Sequence, residues 1–154
     1  MAVSGGQFGL LNASARLAKA GKRWRQSISL EHRRSDGYQA NSAFDMLNMF
    51  YKARLDFQHS SAGIIAGFND KNFDAGAFYS SLFPNEWEHT KTAFAAASWN
   101  RTQRSWKFSP TLSYRRHFDD FVLDNARPDW YRNIHTSQSI VCLLYTSPSP
   151  RDPH

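Results

Sequence analysis

The residue types that could do chemistry are present but scattered. Six His are dispersed along the chain, and no Gly-rich phosphate loop, nucleophile elbow or His-Glu-x-x-His pair occurs. Catalysis needs a nucleophile or metal held beside a base, and nothing in the spacing brings such a set together, so the chain does not read as an enzyme. The run Asp70-Lys71-Asn72-Phe73-Asp74-Ala75-Gly76 imitates a calcium loop, with acid or amide oxygens at alternate positions. Its glycine comes one place late, however, and Ser81 stands where the bidentate Glu should close the shell. The run is therefore expected to be a turn-rich, solvated loop. The single cysteine, Cys142, allows no intrachain disulfide and no cysteine metal cage. No metal and no cofactor is expected.

Charge and aromatics leave binding as the remaining chemistry. The 154 residues carry 19 Lys plus Arg against 13 Asp plus Glu, a net +6, with 12 Phe, 5 Trp and 6 Tyr. A disordered basic tail would lack those aromatics, and no apolar run of about 18 residues offers a membrane helix. Interleaved Arg and aromatics would suit nucleic acid, yet here they segregate to opposite strand faces, so no nucleic-acid partner is expected. The first residues lack the charged, apolar and small-residue succession of a secretory signal.

The elements that must position these groups follow a two-residue period. From Arg23 to Arg33, Trp24, Ile28 and Leu30 alternate with Arg23, Arg25, Ser27, Ser29, Glu31 and Arg33. Met46 to Phe57 repeats the pattern, and Trp106 to Phe118 shows it most cleanly. Weaker strands are read at Leu11 to Lys19, Ala62 to Asn69 and His89 to Trp99, and a seventh begins near Asn133. Short polar turns sit at Lys19 to Lys22, Gln58 to Ser61 and Asn100 to Ser105; long aromatic loops sit at Arg34 to Asp45, Asp70 to Trp87 and Asp119 to Arg132. Alternating tight turns and long loops predict an all-β, antiparallel up-and-down meander, part of a large transmembrane outer-membrane β-barrel. Trp24, Phe57, Trp99 and Trp106 all fall beside short turns, where an interfacial aromatic girdle belongs. Proline within a strand, at Pro110, predicts a bulge or a weakened stretch of ladder. The alternative is a soluble β-rich carbohydrate-binding module, whose aromatics would gather on one face or in loops.

Three segments then carry a family resemblance: RSDGYQANSAFD (Arg34 to Asp45), the stretch from Asp70 to Trp99, and SYRRHFDDFVL (Ser113 to Leu123). They resemble the barrel region of TonB-dependent outer-membrane receptors, of the cobalamin and iron-siderophore kind, over about residues 8 to 140. The resemblance implies a 22-stranded barrel occluded by a plug domain and a scarce large ligand, siderophore or cobalamin, imported on energy from TonB. It implies as partners the outer-membrane lipid, the plug domain of the full-length chain and TonB, met through an N-terminal region that this sequence lacks. On that reading Tyr38, Tyr79, Phe83, Trp87 and Trp130 offer stacking area in outer loops, while Arg33, Arg115 and His117 face the lumen near the mouth, where they could pair with an anionic ligand.

Residues 1–141 are thus read as the partial barrel. Residues 142–154 break the pattern: Cys142 to Asp152 resembles the in-frame translation of a transposase adapter from sequencing-library preparation. A natural Pro/Ser-rich tail is the alternative, and on either view the segment is expected to leave the sheet.

Overall fold

A computed structural model describes residues 1–76, 78, 79, 81–103 and 106–148. The chain is all-β, with strands β1 (Ala2–Gly5), β2 (Leu11–Ala20), β3 (Trp24–Ser35), β4 (Phe44–Asp56), β5 (Ser60–Asp74), β6 (Trp87–Gln103), β7 (Trp106–Val122) and β8 (Arg132–Pro148). They pair antiparallel in sequence order to make one open, unclosed meander sheet. The short connections at 21–23 and 57–59 lie at one edge, the turn end; the loops at 36–43, 75–86 and 123–131 lie at the other, the loop end. The centre of the third short turn, Arg104 and Ser105, lies outside the described residues.

Strict alternation of side chains across a strand divides the sheet into two unlike faces. On one, an apolar band crosses every long strand. It comprises Leu11, Ala13, Ala15 and Leu17 on β2, Ile28 and Leu30 on β3, and Leu47, Met49, Tyr51, Ala53 and Leu55 on β4. Ala62, Ile64, Ala66 and Phe68 on β5 continue it through Ala93, Ala95, Ala97 and Trp99 on β6 to Phe108, Leu112 and Tyr114 on β7. Gln26 and Arg116, the latter opposite Ala93, interrupt it, and the Tyr51 hydroxyl donates to the Gln26 amide oxygen at 3.2 Å. The opposite face is polar. One row across it runs Glu31, Asn48, Asn69, Thr92, His117, with the Asn48 amide donating to Glu31 and the Asn69 amide to Asn48.

Nothing covers the band. Val122 is the only hydrophobic side chain buried among the described residues, while Leu17, Leu55, Leu112 and Trp106 are about half exposed or more. The accessible surface of 11383 Å² compares with about 8,000 Å² for a soluble monomer of 17.7 kDa. A single layer held by backbone ladders has replaced a core.

Successive hairpins are staggered by a constant amount. One row at right angles to the strands runs Arg25, Arg54, Gly63, Ser98, Thr111. Arg25 is the second residue of β3, Gly63 the fourth of β5 and Thr111 the sixth of β7. The turn end therefore steps down two residues for each pair of strands, about 6.6 Å over about 9.6 Å, which inclines the strands by about 35° to the normal of the line of the turns.

The predicted strands are all present and longer than expected at the loop end. Asp70 to Asp74, expected in a loop, are the last residues of β5, because their side chains find cross-strand partners: His89 Nε2 lies 2.7 Å from Asp70 Oδ1, and Trp87 Nε1 donates to Asn72 at 2.6 Å. Trp87, expected in an outer loop, opens β6 on the apolar-band face. At Pro110 there is no bulge; the β6–β7 ladder omits the pairs opposite Trp99 and Asn100 and resumes in unchanged register. β1 was not foreseen in a segment of only four residues.

The expectation that the chain leaves the sheet after Val141 is not met. β8 continues in register to Pro148, opposite Trp106. The edge of β7 presents a full row of unpaired backbone groups, and the β-favouring run Val141-Cys-Leu-Leu-Tyr-Thr146 pairs with it. The face pattern does fail there: Leu143 and Tyr145 stand on the polar face, opposite Thr111 and Ser109. Residues 149–154 lie outside the described residues.

On the polar face Gly67 sits between Phe50 and Phe94, whose ring centroids are 6.3 Å apart. A Cβ on Gly67 would lie 2.6 Å from Phe94 Cζ. Gly67→Val should therefore lower stability by about 1–3 kcal/mol in urea titration, and the additional change Phe94→Ala should recover part of it.

Candidate functional site

At the loop end the connections are joined by polar side chains as well as by ring stacking. The Asn41 amide donates to Asn85 Oδ1 at 2.8 Å, the Asn85 amide to Asp124 Oδ1 at 3.3 Å, and Asn125 N to the Asn85 carbonyl at 2.8 Å. One residue of the β5–β6 loop thus ties the other two long loops. The short β1–β2 connection docks alongside, with Asp36 N and Ser35 Oγ both donating to the Phe8 carbonyl. Asp124 is held by Arg127 Nε at 2.9 Å and by the Ala126 amide, and the Arg127 guanidinium foremost keeps its carboxyl below the usual carboxylate range.

Where β6, β7 and β8 meet these loops on the polar face lies a cavity of about 440 Å³, the size of a small-molecule site. Its aromatic walls are Tyr79, Phe83, Phe121 and Tyr131. The Tyr79 and Phe121 rings meet edge to face at 5.2 Å, and Phe121 and Tyr131 at 6.5 Å. Trp130 stacks behind Phe83 at 5.4 Å and carries the Arg127 guanidinium over its own ring at 4.6 Å. The polar lining is Glu86, Glu88, Asp119, Asn133 and His135, with no Lys or Arg.

Glu86 is 1% exposed. Its Oε2 accepts the Tyr79 amide at 2.9 Å, and Glu88 Oε2 accepts the Tyr79 hydroxyl at 2.8 Å. That bond to Glu88, then partial burial and the charges of Glu88, Asp119 and Glu86, push the Tyr79 phenol up to about 12. Glu86 Oε1 and Asp119 Oδ1 are buried without a donor.

The structure distributes the predicted site residues unevenly. Tyr79 and Phe83 line this cavity and Trp130 backs it. Tyr38 stands apart in the β3–β4 loop, 73% exposed. Trp87 is on the other face. Arg33 shares the row Arg33, Met46, Lys71, Thr90, Asp119, which puts it four strands from the cavity, about 19 Å. His117 lies one position below Asp119 on the polar face, with its Nδ1 2.8 Å from Thr92 Oγ1, and Arg115 lies one further down, opposite Phe94. The three predicted cationic groups do not converge. The acidic lining was not predicted, since its members come from a loop and two strands; the only trace of it in sequence is the Glu86-x-Glu88 spacing beside Trp87.

No four-ligand or three-ligand metal cluster of His, Cys, Asp or Glu occurs among the described residues. The calcium-like run is strand as far as Asp74. No family model, curated protein or solved structure matches the chain.

Tyr79 gives a pH dependence with a definite sign. Its phenol is raised in the folded chain, so the folded state holds a proton that the unfolded state releases; that stability is complete below about pH 10 and is lost as pH rises towards 12. Tyr79→Phe should flatten the fall in melting temperature over that window, and Glu88→Gln should shift the fall to lower pH.

Proposed function

We propose that this chain is a stretch of an outer-membrane β-barrel of the TonB-dependent receptor type. Its apolar face lies in lipid, its loop end faces outside, and its polar face turns to an interior filled by water and the plug domain. Its work is the capture and gated passage of a scarce ligand, a siderophore, cobalamin or similar molecule. The observation that carries the reading is the uncovered apolar band on a sheet without a core. In water such a surface would be unstable, whereas hydrocarbon satisfies it.

Three further features support the same reading. The inclination of about 35° derived from the hairpin stagger is that of transmembrane barrel strands. Leu47 to Leu55 spans about 27 Å along the strand and about 22 Å along the barrel axis, close to the apolar height of such barrels. Trp24, Trp99 and Trp106 share the apolar face at the turn end, where indoles anchor at a headgroup layer. Above the band on the same face stand the pairs His32–Asp45, Lys91–Asp70 and Arg132–Asp120, at the level of the opposite headgroups. A soluble carbohydrate-binding module would need a second layer over the band, and the described residues supply none.

Two experiments test this. For the chain folded into lipid vesicles, Leu112→Arg should cost about 2–4 kcal/mol in urea titration while Ser113→Arg on the polar face costs under about 1 kcal/mol; equal costs would remove the lipid assignment. In cells exporting the chain, with Cys142→Ser as background, Tyr38→Cys should react with a membrane-impermeant maleimide while Gln58→Cys reacts only after the outer membrane is opened. Equal labelling of the two would overturn the topology.

A further inference from the structure

We infer that the loop-end cavity binds an extended organic cation, one with two or more ammonium or guanidinium groups on a carbon stem. The inference deepens the receptor reading by naming a ligand class, and rests on it only for the direction from which the ligand arrives.

The charge of the cavity runs against that of the chain. Glu86, Glu88 and Asp119 line it with no Lys or Arg, in a protein whose net charge is +6, and His135, opposite Asp119 on β8, is the one basic side chain among them. The nearest Lys or Arg on the Asp119 row, Lys71, is two strands away, about 10 Å. Arg132 points to the other face, where it holds Asp120 through two contacts. Three carboxylates gathered around one imidazole, with no Lys or Arg among them, leave a surplus of negative charge that a cation in their midst offsets.

A second observation is independent of the charge count. Glu86, 1% exposed and part of the cavity wall, has one oxygen taken by the Tyr79 amide and the other without a donor. Asp119 likewise keeps a buried oxygen unpaired. Buried acceptors left unsatisfied cost on the order of 1–3 kcal/mol each, and a cation seated in the cavity lowers that cost through its field.

The walls specify the rest. The rings of Phe121 and Tyr131 offer π faces that attract ammonium and guanidinium groups and pack a methylene stem. The carboxylates are too dispersed to close around a point ion, since no metal-binding group forms among the described residues. Glu88 and Asp119 are diagonal neighbours across β6 and β7, so two cationic groups separated by a short stem can meet them together.

The test uses the full chain in detergent micelles and cadaverine, a five-carbon diammonium, as the probe. Calorimetric titration should give cadaverine at least tenfold tighter binding than its uncharged isostere 1,5-pentanediol, than methyl glucoside and than calcium ion. The double change Glu88→Gln, Asp119→Asn should weaken cadaverine tenfold or more, and Phe121→Leu, which leaves every carboxylate in place, about threefold or more. Lys52→Ala, at the turn end, should leave binding unchanged. Cadaverine no tighter than the diol, a preference for the glucoside or calcium, or full affinity in the double variant would each overturn the inference. The measurement is blind to topology: normal outer labelling of Tyr38→Cys with no cadaverine preference sinks the cation assignment and leaves the receptor, whereas cadaverine binding by a chain labelled equally at both ends sinks the receptor and leaves the cavity.

Discussion

Everything in this structure depends on the antiparallel ladder, because the chain has no interior in which side chains could hold one another. Strands β3 to β7 satisfy their backbone groups against two neighbours, while β1, β8 and β2 beyond Ser14 keep an open side. With a single layer, the side chains are free to answer to two different surroundings. The alternation of the sequence then becomes a statement about solvent: one face is mainly apolar along its middle, broken by Gln26 and Arg116, and the other carries Asn, Glu, Thr, Lys and Arg without shelter. Further polar residues stand on the apolar face towards the loop end, where they pair with each other across strands.

The register turns that alternation into geometry. A stagger of two residues per hairpin recurs from β3 to β7, so the tilt is a property of the whole sheet and not of one bent strand. It holds even past Pro110, where the ladder is interrupted, because the pairs on either side fix the same alignment. Close approach on the polar face is managed locally: Gly67 makes room for the Phe94 ring, and Asp56 sits between the opposed guanidinium groups of Arg25 and Arg54, with 2.7 Å to each. Like charges facing each other across β3 and β4 would otherwise strain the pairing there.

Much of the fold was legible in the sequence because a two-residue period survives translation into faces without loss. Trp106, Phe108, Leu112 and Tyr114 fall on one side and Lys107, Ser109, Thr111, Ser113 and Arg115 on the other, as alternation requires. The strand ends were less legible. Asp70, Asn72 and Asp74 carry turn-forming side chains, and only their partners on β6, distant in sequence, make them strand. β1 is too short to show a period. The tail was misjudged because composition says nothing about an unpaired neighbouring edge. Of the residues expected to meet a ligand, Tyr79 and Phe83 fall in the cavity wall; Arg115 and His117 sit together lower on β7, and Arg33 lies four strands away, a separation that nearness to the rim in sequence does not reveal. The acids that define the cavity were invisible, since Glu86, Glu88 and Asp119 meet through a pairing register that no local pattern encodes.

The position of Asn85 also governs how the rim can move. Its side chain and its carbonyl hold the β3–β4 loop and the β7–β8 loop at once, so neither can swing away without breaking a bond to the third. The three long loops are thereby a single cooperative unit. A molecule that grips the β5–β6 loop pulls on both of its neighbours through this one residue. Freeing the β7–β8 loop from it takes the loss of both bonds to Asn85 and of the Phe83–Trp130 stack, whereas the Asn85 link to the β3–β4 loop is a single side-chain bond from Asn41.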